Sequence, residues 1–359
     1  QDWRGRSVWV VGASSGIGRA TAEALLQAGA RVAVSSRQEA PLQSLAQQYA
    51  DAWVVPADVT SLESLKAAAQ QVQAALKTTV IAEKHGVKVI GHDISKACTQ
   101  RLKRAGGIVA RSNAHVAQSA DLVLISLASS KALASVIQEL AQVPHTGKPQ
   151  IVIETSTLPL QDKEDAARAL AKQSRTMLDC PISGTAARMK DRAWTIYVSG
   201  PRKVCQQVAP VFKAFTDMAP YIGPLGAGTK LKFAANHLVA IYNVAYAELV
   251  NFCRKMDLDP HVVLEHFGNS PVLGTGVMRL RMPFMIEREY TPPTMKVEVW
   301  QKDMQVIGDM AKSVDCPTPL FTTCATLYTA AMAQGLAQSD TASTAEVLAL
   351  MSGQGKRKK

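Results

Sequence analysis

The sequence predicts an α/β protein, with a doubly wound parallel sheet region followed by an all-helical C-terminal domain. Three observations predict it. Short apolar runs alternate with helical segments over the first two thirds of the chain. A glycine-rich loop joins the first such run to the first helix. Past residue 225 the strand pattern stops and long segments of 3.6-residue period take over.

The elements follow in order. Ser7–Val11 is an apolar run ending at a glycine, and Thr21–Ala28 is a helix. Arg31–Ser35 and Ala52–Pro56 are the next strands, and the Ala/Gln-rich Leu62–Leu76 is helical. The pattern then begins again. Val87–Gly91 is a strand ending at His92-Asp93, Ser95–Ala105 a helix and Gly107–Ala110 a short strand. Asp121–Ser126 reads by composition as a strand buried on both faces. Leu133–Leu140 and Lys163–Gln173 are helices, while Gln150–Glu154, Met177–Cys180 and Trp194–Ser199 are strands. These are more strands than one six-stranded nucleotide-binding domain needs. Thr229–Met256 is one long helix, with apolar residues at 231, 234, 235, 238, 241, 245, 249 and 252 forming its expected buried stripe. Val297–Ser313, Leu320–Ala333 and Thr341–Met351 complete a helical domain of about 130 residues. Met and aromatic residues in Val277–Phe284 read as core or interface.

Composition narrows the function classes. The 359 residues allow two to three domains, and 47% apolar residues allow a sizeable core. The net charge is +11, of which Lys356, Arg357, Lys358 and Lys359 supply four in a basic tail. The remaining excess suits anionic small molecules and makes nucleic acid an unlikely partner. No apolar run reaches the ~18 residues of a membrane span. The start lacks the charged-then-apolar order of a signal peptide. Six scattered cysteines without a C-x-x-C imply free thiols in a reducing, cytoplasmic setting and no zinc site.

Gly12, Gly16 and Gly18 lie between the first strand and the first helix. Gly12 permits the tight turn, Gly16 lets the backbone approach a pyrophosphate, and Gly18 lets helix and strand pack closely. The helix N-terminus faces the phosphates. This Gly-x-x-x-Gly-Ile-Gly loop resembles that of short-chain dehydrogenases/reductases, and the likeness covers roughly residues 4–75. It implies a Rossmann-like unit in which Gly12, Ser14, Ser15, Gly16, Ile17 and Gly18 hold a dinucleotide. Arg37, after the second strand, would select NADP through its 2′-phosphate. Asp58 and Val59 would contact adenine. The likeness then stops, because none of the seven tyrosines has a lysine four residues on and the Asn-Asn-Ala-Gly segment is absent.

From about residue 80 to 353 the chain resembles the β-hydroxyacid dehydrogenases, the group containing 3-hydroxyisobutyrate dehydrogenase. The residues carrying this are Ala120–Leu127, Glu154-Thr155-Ser156-Thr157, Asp179-Cys180-Pro181-Ile182-Ser183-Gly184-Thr185, Gly226-Ala227-Gly228 with Lys232 and Asn236, and Lys302-Asp303. The resemblance implies that Leu127 and Thr157 lie beside the nicotinamide. It implies that Ser183, Gly184 and Thr185 clamp a substrate carboxylate, with Lys302 adding charge. It makes Lys232 the acid/base, with Asn236 and Ser183 also catalytic. Oxidising a hydroxyl requires a group that takes its proton as hydride leaves. Lysine does this only if burial or nearby positive charge lowers its pKa from ~10.4. Asn236 is one helical turn on, so it shares the face of Lys232 and can hold the lysine or the substrate oxygen.

That family's own opening strand and Gly-x-Gly-x-x-Gly are missing, and the short-chain-type unit stands in their place. The expected organisation is 1–76 dinucleotide-binding unit, 77–224 incomplete Rossmann-type core, 225–354 helical domain for substrate and self-association, and 355–359 tail. The N-terminal unit either replaces the lost strand or forms a separate sheet. Asp93, at the second family's own strand end, argues for NAD against the NADP of Arg37. The expected function is hydride transfer between NADP (alternatively NAD) and a small carboxylate-bearing β-hydroxy acid, in a homo-oligomer. Cofactor binding without turnover, or a helical scaffold, are the alternatives.

Overall fold

The computed structural model describes residues 7–11, 14–36, 38–55, 89–144, 149–184, 194–213 and 216–354. Gly12, Arg37, Asp58, Val59, Thr185, the expected helix Leu62–Leu76 and the basic tail lie outside them. Contacts divide the chain into two compact units, residues 1–119 and 120–359. This division differs from the one drawn on the sequence. The sheet before residue 225 and the helices after it belong to one unit.

In the first unit, β1 (Ser7–Val11), α1 (Gly16–Gln27), β2 (Arg31–Ser35), α2 (Ala40–Gln48) and β3 (Ala52–Val54) form a parallel sheet in the order β1-β2-β3. Its core is made by the apolar faces of these elements: Val10, Val32 and Val34 from the strands, Ala22, Leu26, Leu42 and Leu45 from the helices. β4 (Ile90–Gly91), α3 (Lys96–Arg104), β5 (Ile108–Val109) and α4 (Asn113–Ser119) follow. β4 and β5 pair in parallel as a ladder of their own. Of the two arrangements open to the sequence, the separate sheet is the one seen among the described residues.

The second unit opens with β6 (Leu122–Ile125), α5 (Ser130–Ala141), β7 (Gln150–Glu154), α6 (Leu160–Ala171) and β8 (Arg175–Asp179). These three strands are parallel, as two β-α-β crossovers require. Ser129 caps α5 by accepting the Ala132 N–H at 3.2 Å. A short antiparallel pair, β9 (Ile182–Ser183) with β10 (Thr195–Ile196), leads to β11 (Val198–Ser199), α7 (Arg202–Lys213) and β12 (Tyr221–Gly223). The sheet order is β12-β11-β8-β7-β6, with β11 antiparallel to β8. The expected strand Trp194–Ser199 is therefore two short strands in two ladders, divided at Tyr197.

β6 corrects one expectation. Composition marked it as buried on both faces, yet Leu124 is 47% exposed. Among the described residues β6 is the edge strand of its sheet, laddered only to β7.

The helices are α8 (Ala227–Lys255), α9 (Pro260–Gly268), α10 (Gly276–Glu287), α11 (Val297–Ser313), α12 (Pro319–Ala333) and α13 (Thr344–Met351), with a 3₁₀ turn at Thr341–Ser343. The first half of α8 packs through Phe233, Ala240 and Val244 on α11 and α12. Its second half packs through Ala247, Val250 and Cys253 on α9, α10 and α13.

The buried stripe of α8 is not the one the sequence suggested. Leu231, Leu238 (48% exposed) and Phe252 (60% exposed) face outward. Thr229, Lys232, Asn236, Asn243 and Asn251 face inward. Buried hydrogen bonds satisfy the amide nitrogens of the asparagines: Asn243 Nδ2 donates to Tyr328 Oη at 3.0 Å and to the Thr341 carbonyl at 2.9 Å. The inward face mixes these polar groups with Phe233, Ala240, Val244, Ala247, Val250 and Cys253, and the stripe read from periodicity is half-buried or exposed.

Two glycines explain how α8 meets the sheet. Gly226, the residue before the helix, has φ 89°, which favours glycine. At Gly228 a Cβ would stand 2.4 Å from the Tyr197 carbonyl oxygen and 2.9 Å from that of Asp179. These are backbone atoms that cannot step aside. Gly228→Ala is therefore expected to cost about 1–3 kcal/mol, read as a lowered thermal midpoint. Gly276→Ala is the control, since a Cβ there meets nothing within 4 Å, and it should leave the midpoint unchanged or slightly raised.

Candidate active site

The site is built where the turn after β7 meets α8 and α11. The Thr155 N–H and Oγ1 both donate to the Ile125 carbonyl, at 2.9 and 2.8 Å. The Leu127 N–H donates to Ser156 Oγ at 2.7 Å. The Ile182 N–H donates to the Thr155 carbonyl at 3.3 Å. One turn, residues 155–157, thus ties the end of β6, including Leu127, to β9, which carries Ser183.

The Thr157 carbonyl accepts Lys302 Nζ at 2.6 Å. Lys302 Nζ also lies 3.1 Å from Asp303 Oδ1. The other carboxylate oxygen of Asp303 accepts Asn236 Nδ2 at 2.9 Å. Lys232 stands one helical turn before Asn236 on the same buried face, while Lys230 is exposed.

Lys232 is 8% exposed and, among the described residues, has no hydrogen bond or ion pair. Burial pushes its pKa down to about 8; the nearby Asp303 works upward and Lys302 downward. Burial alone carries the lowering, since of the two neighbouring charges the Asp303 carboxylate acts more strongly than the Lys302 ammonium.

The structure brings together Lys232, Asn236, Lys302 and Thr157, with Asp303 as the group they share. Asn236 was expected to hold Lys232 or the substrate; in the structure its Nδ2 donates to Asp303 Oδ2. Lys302 was expected to add charge at the edge; its ammonium is engaged by Thr157 and Asp303. Ser183 is half-buried on β9 opposite Thr195, and Gly184 follows it with φ 146°. In the first unit, Ser14 and Ser15 lead into α1, whose first turn is Gly16, Ile17 and Gly18. The Ser15 side chain makes no capping bond, and the first turn holds no acidic residue. The amide-rich N-terminus of α1 is left unblocked, which fits a phosphate. Asp93 is engaged: its Oδ1 accepts the Ser95 N–H at 2.7 Å.

Sequence reasoning missed Asp303 as the junction, and it missed a second buried cluster. Lys163 is fully buried, with its Nζ 2.7 Å from Glu154 Oε2, 2.8 Å from Asp179 Oδ1 and 2.6 Å from the Ser156 carbonyl. A signal was present, because Lys163, Ala166 and Leu170 form the buried stripe of α6 at spacings of three and four.

Comparison with known proteins agrees with this architecture. Residues 74–223 match the NAD binding domain of 6-phosphogluconate dehydrogenase, and residues 226–348 match the NAD-binding family of NADP-dependent 3-hydroxyisobutyrate dehydrogenase. Residues 6–82 match the short chain dehydrogenase family. An L-threonate dehydrogenase of Pectobacterium atrosepticum is 26% identical over 71% of this chain and 84% of its own length. A probable mitochondrial 3-hydroxyisobutyrate dehydrogenase of Dictyostelium discoideum is 28% identical over 72% of this chain and 82% of its own. In fold, the chain is similar to 3-hydroxyisobutyrate dehydrogenase of Salmonella typhimurium (TM-score 0.67, 22% identity, 76% of this chain and 95% of that one). The fold and these matches define an NAD(P)-dependent dehydrogenase. Within that class, residues 74–348 are similar to the β-hydroxyacid dehydrogenases, and a short-chain-dehydrogenase-like unit precedes them.

The burial of Lys232 has a thermodynamic signature. Its proton is held less tightly folded (about 8) than in an ordinary lysine (10.5). The folded state is penalised in full below about pH 8, where the lysine is protonated folded and unfolded alike. The penalty fades as pH rises from 8 to 10.5. At neutral pH it amounts to about 3 kcal/mol. Lys232→Met fills the space without the charge. It should raise the unfolding free energy at pH 7 by up to about that amount, and by little at pH 10.5, in urea denaturation.

Proposed function

We propose that this dehydrogenase oxidises a small β-hydroxy acid of the 3-hydroxyisobutyrate kind with NADP, and that Lys232 takes the hydroxyl proton. The observation that carries the reading is a buried lysine that has no hydrogen-bond or ion-pair partner among the described residues and stands beside a chain of engaged polar groups. Bound NADP would supply the hydride acceptor. In the first unit the residues proposed for it are Ser14, Ser15 and the Gly12–Gly18 loop at the phosphates, Arg37 at the 2′-phosphate, and Asp58 and Val59 at adenine; the second unit, taken by itself, offers Leu127 and Thr157 as the residues that would face a nicotinamide. NADP is favoured over NAD because Asp93 already spends an oxygen on its own turn. The named relatives support a hydroxycarboxylate substrate.

The protein's own part in the reaction is proton handling and orientation. Neutral Lys232 accepts the hydroxyl proton as hydride departs, and protonated Lys232 returns it in the reverse direction. Asp303 holds Asn236 and Lys302, so both stay where substrate meets the lysine. Ser183 and Gly184, with Thr185, take the substrate carboxylate through hydroxyl and backbone N–H groups.

The pH dependence follows from the sign of the shift. kcat/KM for oxidation should rise with pH through an apparent pKa near 8, and carbonyl reduction should fall over the same range. Lys232→Ala should lower kcat by at least about 10²-fold in both directions. Turnover that survives this substitution would sink the assignment. NADPH and NADH fluorescence titrations on wild type and Gly16→Asp test the cofactor loop. Binding by wild type and not by the variant is expected.

We also propose that a second copy of the chain covers the outward face of α8. Leu238, Phe252 and Met256 are exposed along it, in a contiguous helical stripe of the kind soluble monomers rarely leave bare. Among the described residues no helix is long and apolar enough to cross a membrane. Leu238→Asp with Phe252→Asp should lower the sedimentation mass of the native protein while leaving its far-ultraviolet circular dichroism unchanged. An unchanged mass would rule this face out.

A further inference from the structure

We infer that Lys163 is a positioning residue: its buried ammonium locks the turn beside the nicotinamide to the first turn of the helix that carries Lys232. The inference rests on the reading of Lys232 as acid/base.

A lysine ammonium has three donors and no acceptor. Lys163 donates to two of its three neighbours, the Ser156 carbonyl at 2.6 Å and Asp179 Oδ1 at 2.8 Å, and stands as an ion pair 2.7 Å from Glu154 Oε2. Lys163, Glu154 and Asp179 are all fully buried. Water therefore cannot substitute for any of these contacts.

Each of the three leads to the site. Ser156 receives the Leu127 N–H, and its own N–H donates to Glu154 Oε1 at 2.9 Å. The next residue, Thr157, holds Lys302. Asp179 Oδ2 accepts the Thr229 N–H at 2.8 Å, and Oδ1 accepts Thr229 Oγ1 at 2.7 Å. Ser199 Oγ, which donates to the Asp179 carbonyl at 2.8 Å, accepts the Gly228 N–H at 3.0 Å. These are the open N–H groups of the first turn of α8, and Lys232 is three residues past Thr229. Two carboxylates and one ammonium leave one negative charge, and the positive end of the 29-residue α8 faces it. The cation thus sets where the cofactor-side turn stands against α8, and with it the depth at which Lys232 is buried between Asp303 and Lys302.

The test conserves the buried charge. Glu154→Gln with Lys163→Met removes one negative and one positive group, leaving Asp179 on its Thr229 and Ser199 donors. Two readouts are taken on the full chain. One is the pH midpoint at which Lys232 is labelled by an amine-reactive reagent, followed by peptide mass spectrometry. The other is kcat and KM with whichever β-hydroxy acid wild type turns over. The expected result is a labelling midpoint moved up by at least one pH unit. kcat should fall about 10²-fold with KM within a few fold. A midpoint that stays with wild type, with kcat within twofold, would overturn the inference and leave Lys163 a packing residue. The labelling arm reads out even if no hydroxy acid is turned over, so failure of the proposed reaction is distinguishable from failure of this inference. If the double variant does not fold, Thr229→Val decides. It deletes only the hydroxyl on Asp179 and should move the midpoint in the same direction by a smaller amount. No movement there overturns the inference.

Discussion

One ammonium, that of Lys163, stands between two carboxylates with no access to water, and the geometry of the second unit depends on it. Burying three charges costs several kcal/mol for each ion unless the partners are well placed. Here they are. Lys163 meets both acids below 3 Å, and Asp179 collects two further donors from Thr229. The leftover negative charge is tolerable because the N-terminus of α8 points at it. Move the helix and a buried carboxylate loses its donors. Sheet and helix are in this sense bound by charge as well as by apolar packing.

That constraint explains the glycine pattern before Lys232. For Thr229 to reach Asp179, the first turn of α8 must lie against the backbone of β8 and β11. Only a residue without a Cβ fits at 228, and the chain turns into the helix through a positive φ at 226. The sequence reads these glycines as part of the dehydrogenase motif that carries Lys232 and Asn236. In the structure the helix end they free is spent on Ser199 and Asp179, both protein groups. The open helix N-terminus belongs instead to α1, where Ser15 leaves the first turn uncapped.

How much of this was legible varies with the kind of signal. The bounds of β1, β2, β7 and α11 could be read directly, because each is an apolar run or a long periodic segment with clear breaks. β9, β12 and α7 could not: two are strands of two or three residues, and α7 carries an internal Pro210. The inward face of α8 was misread for a more instructive reason. Periodicity analysis assumes that apolar means buried. In α8 polar residues (Thr229, Lys232, Asn236, Asn243, Asn251) share the buried face with apolar ones while Leu231, Leu238 and Phe252 are exposed, so apolar periodicity alone selects the wrong face. Of the site, Lys232, Asn236 and Lys302 were legible through motif resemblance alone. Asp303 was in the same motif, but its role as the shared partner required three dimensions. Lys163 was legible in principle, since it falls on its helix's buried stripe, but a lone lysine at such a position reads as solvated by default.

The buried cations of the second unit, compared with one another, separate structure from chemistry. Arg281 is paired with Asp340, whose carboxyl burial would raise but which Arg281 and the backbone of Ala342 hold below the ordinary range. Lys163 has two carboxylates. Arg175 donates to Gln150 Oε1 at 2.7 Å and to the Val143 carbonyl at 3.0 Å. Lys232 alone of these four has neither an ion pair nor a hydrogen bond among the described residues. A fold that partners three buried cations and leaves the fourth bare keeps that group at a cost in stability. Packing does not require it, because methionine would fill the same space. Burial brings its pKa down to about 8 beside Asp303 and Lys302, and in the reaction proposed above that proton is the one exchanged with the substrate hydroxyl.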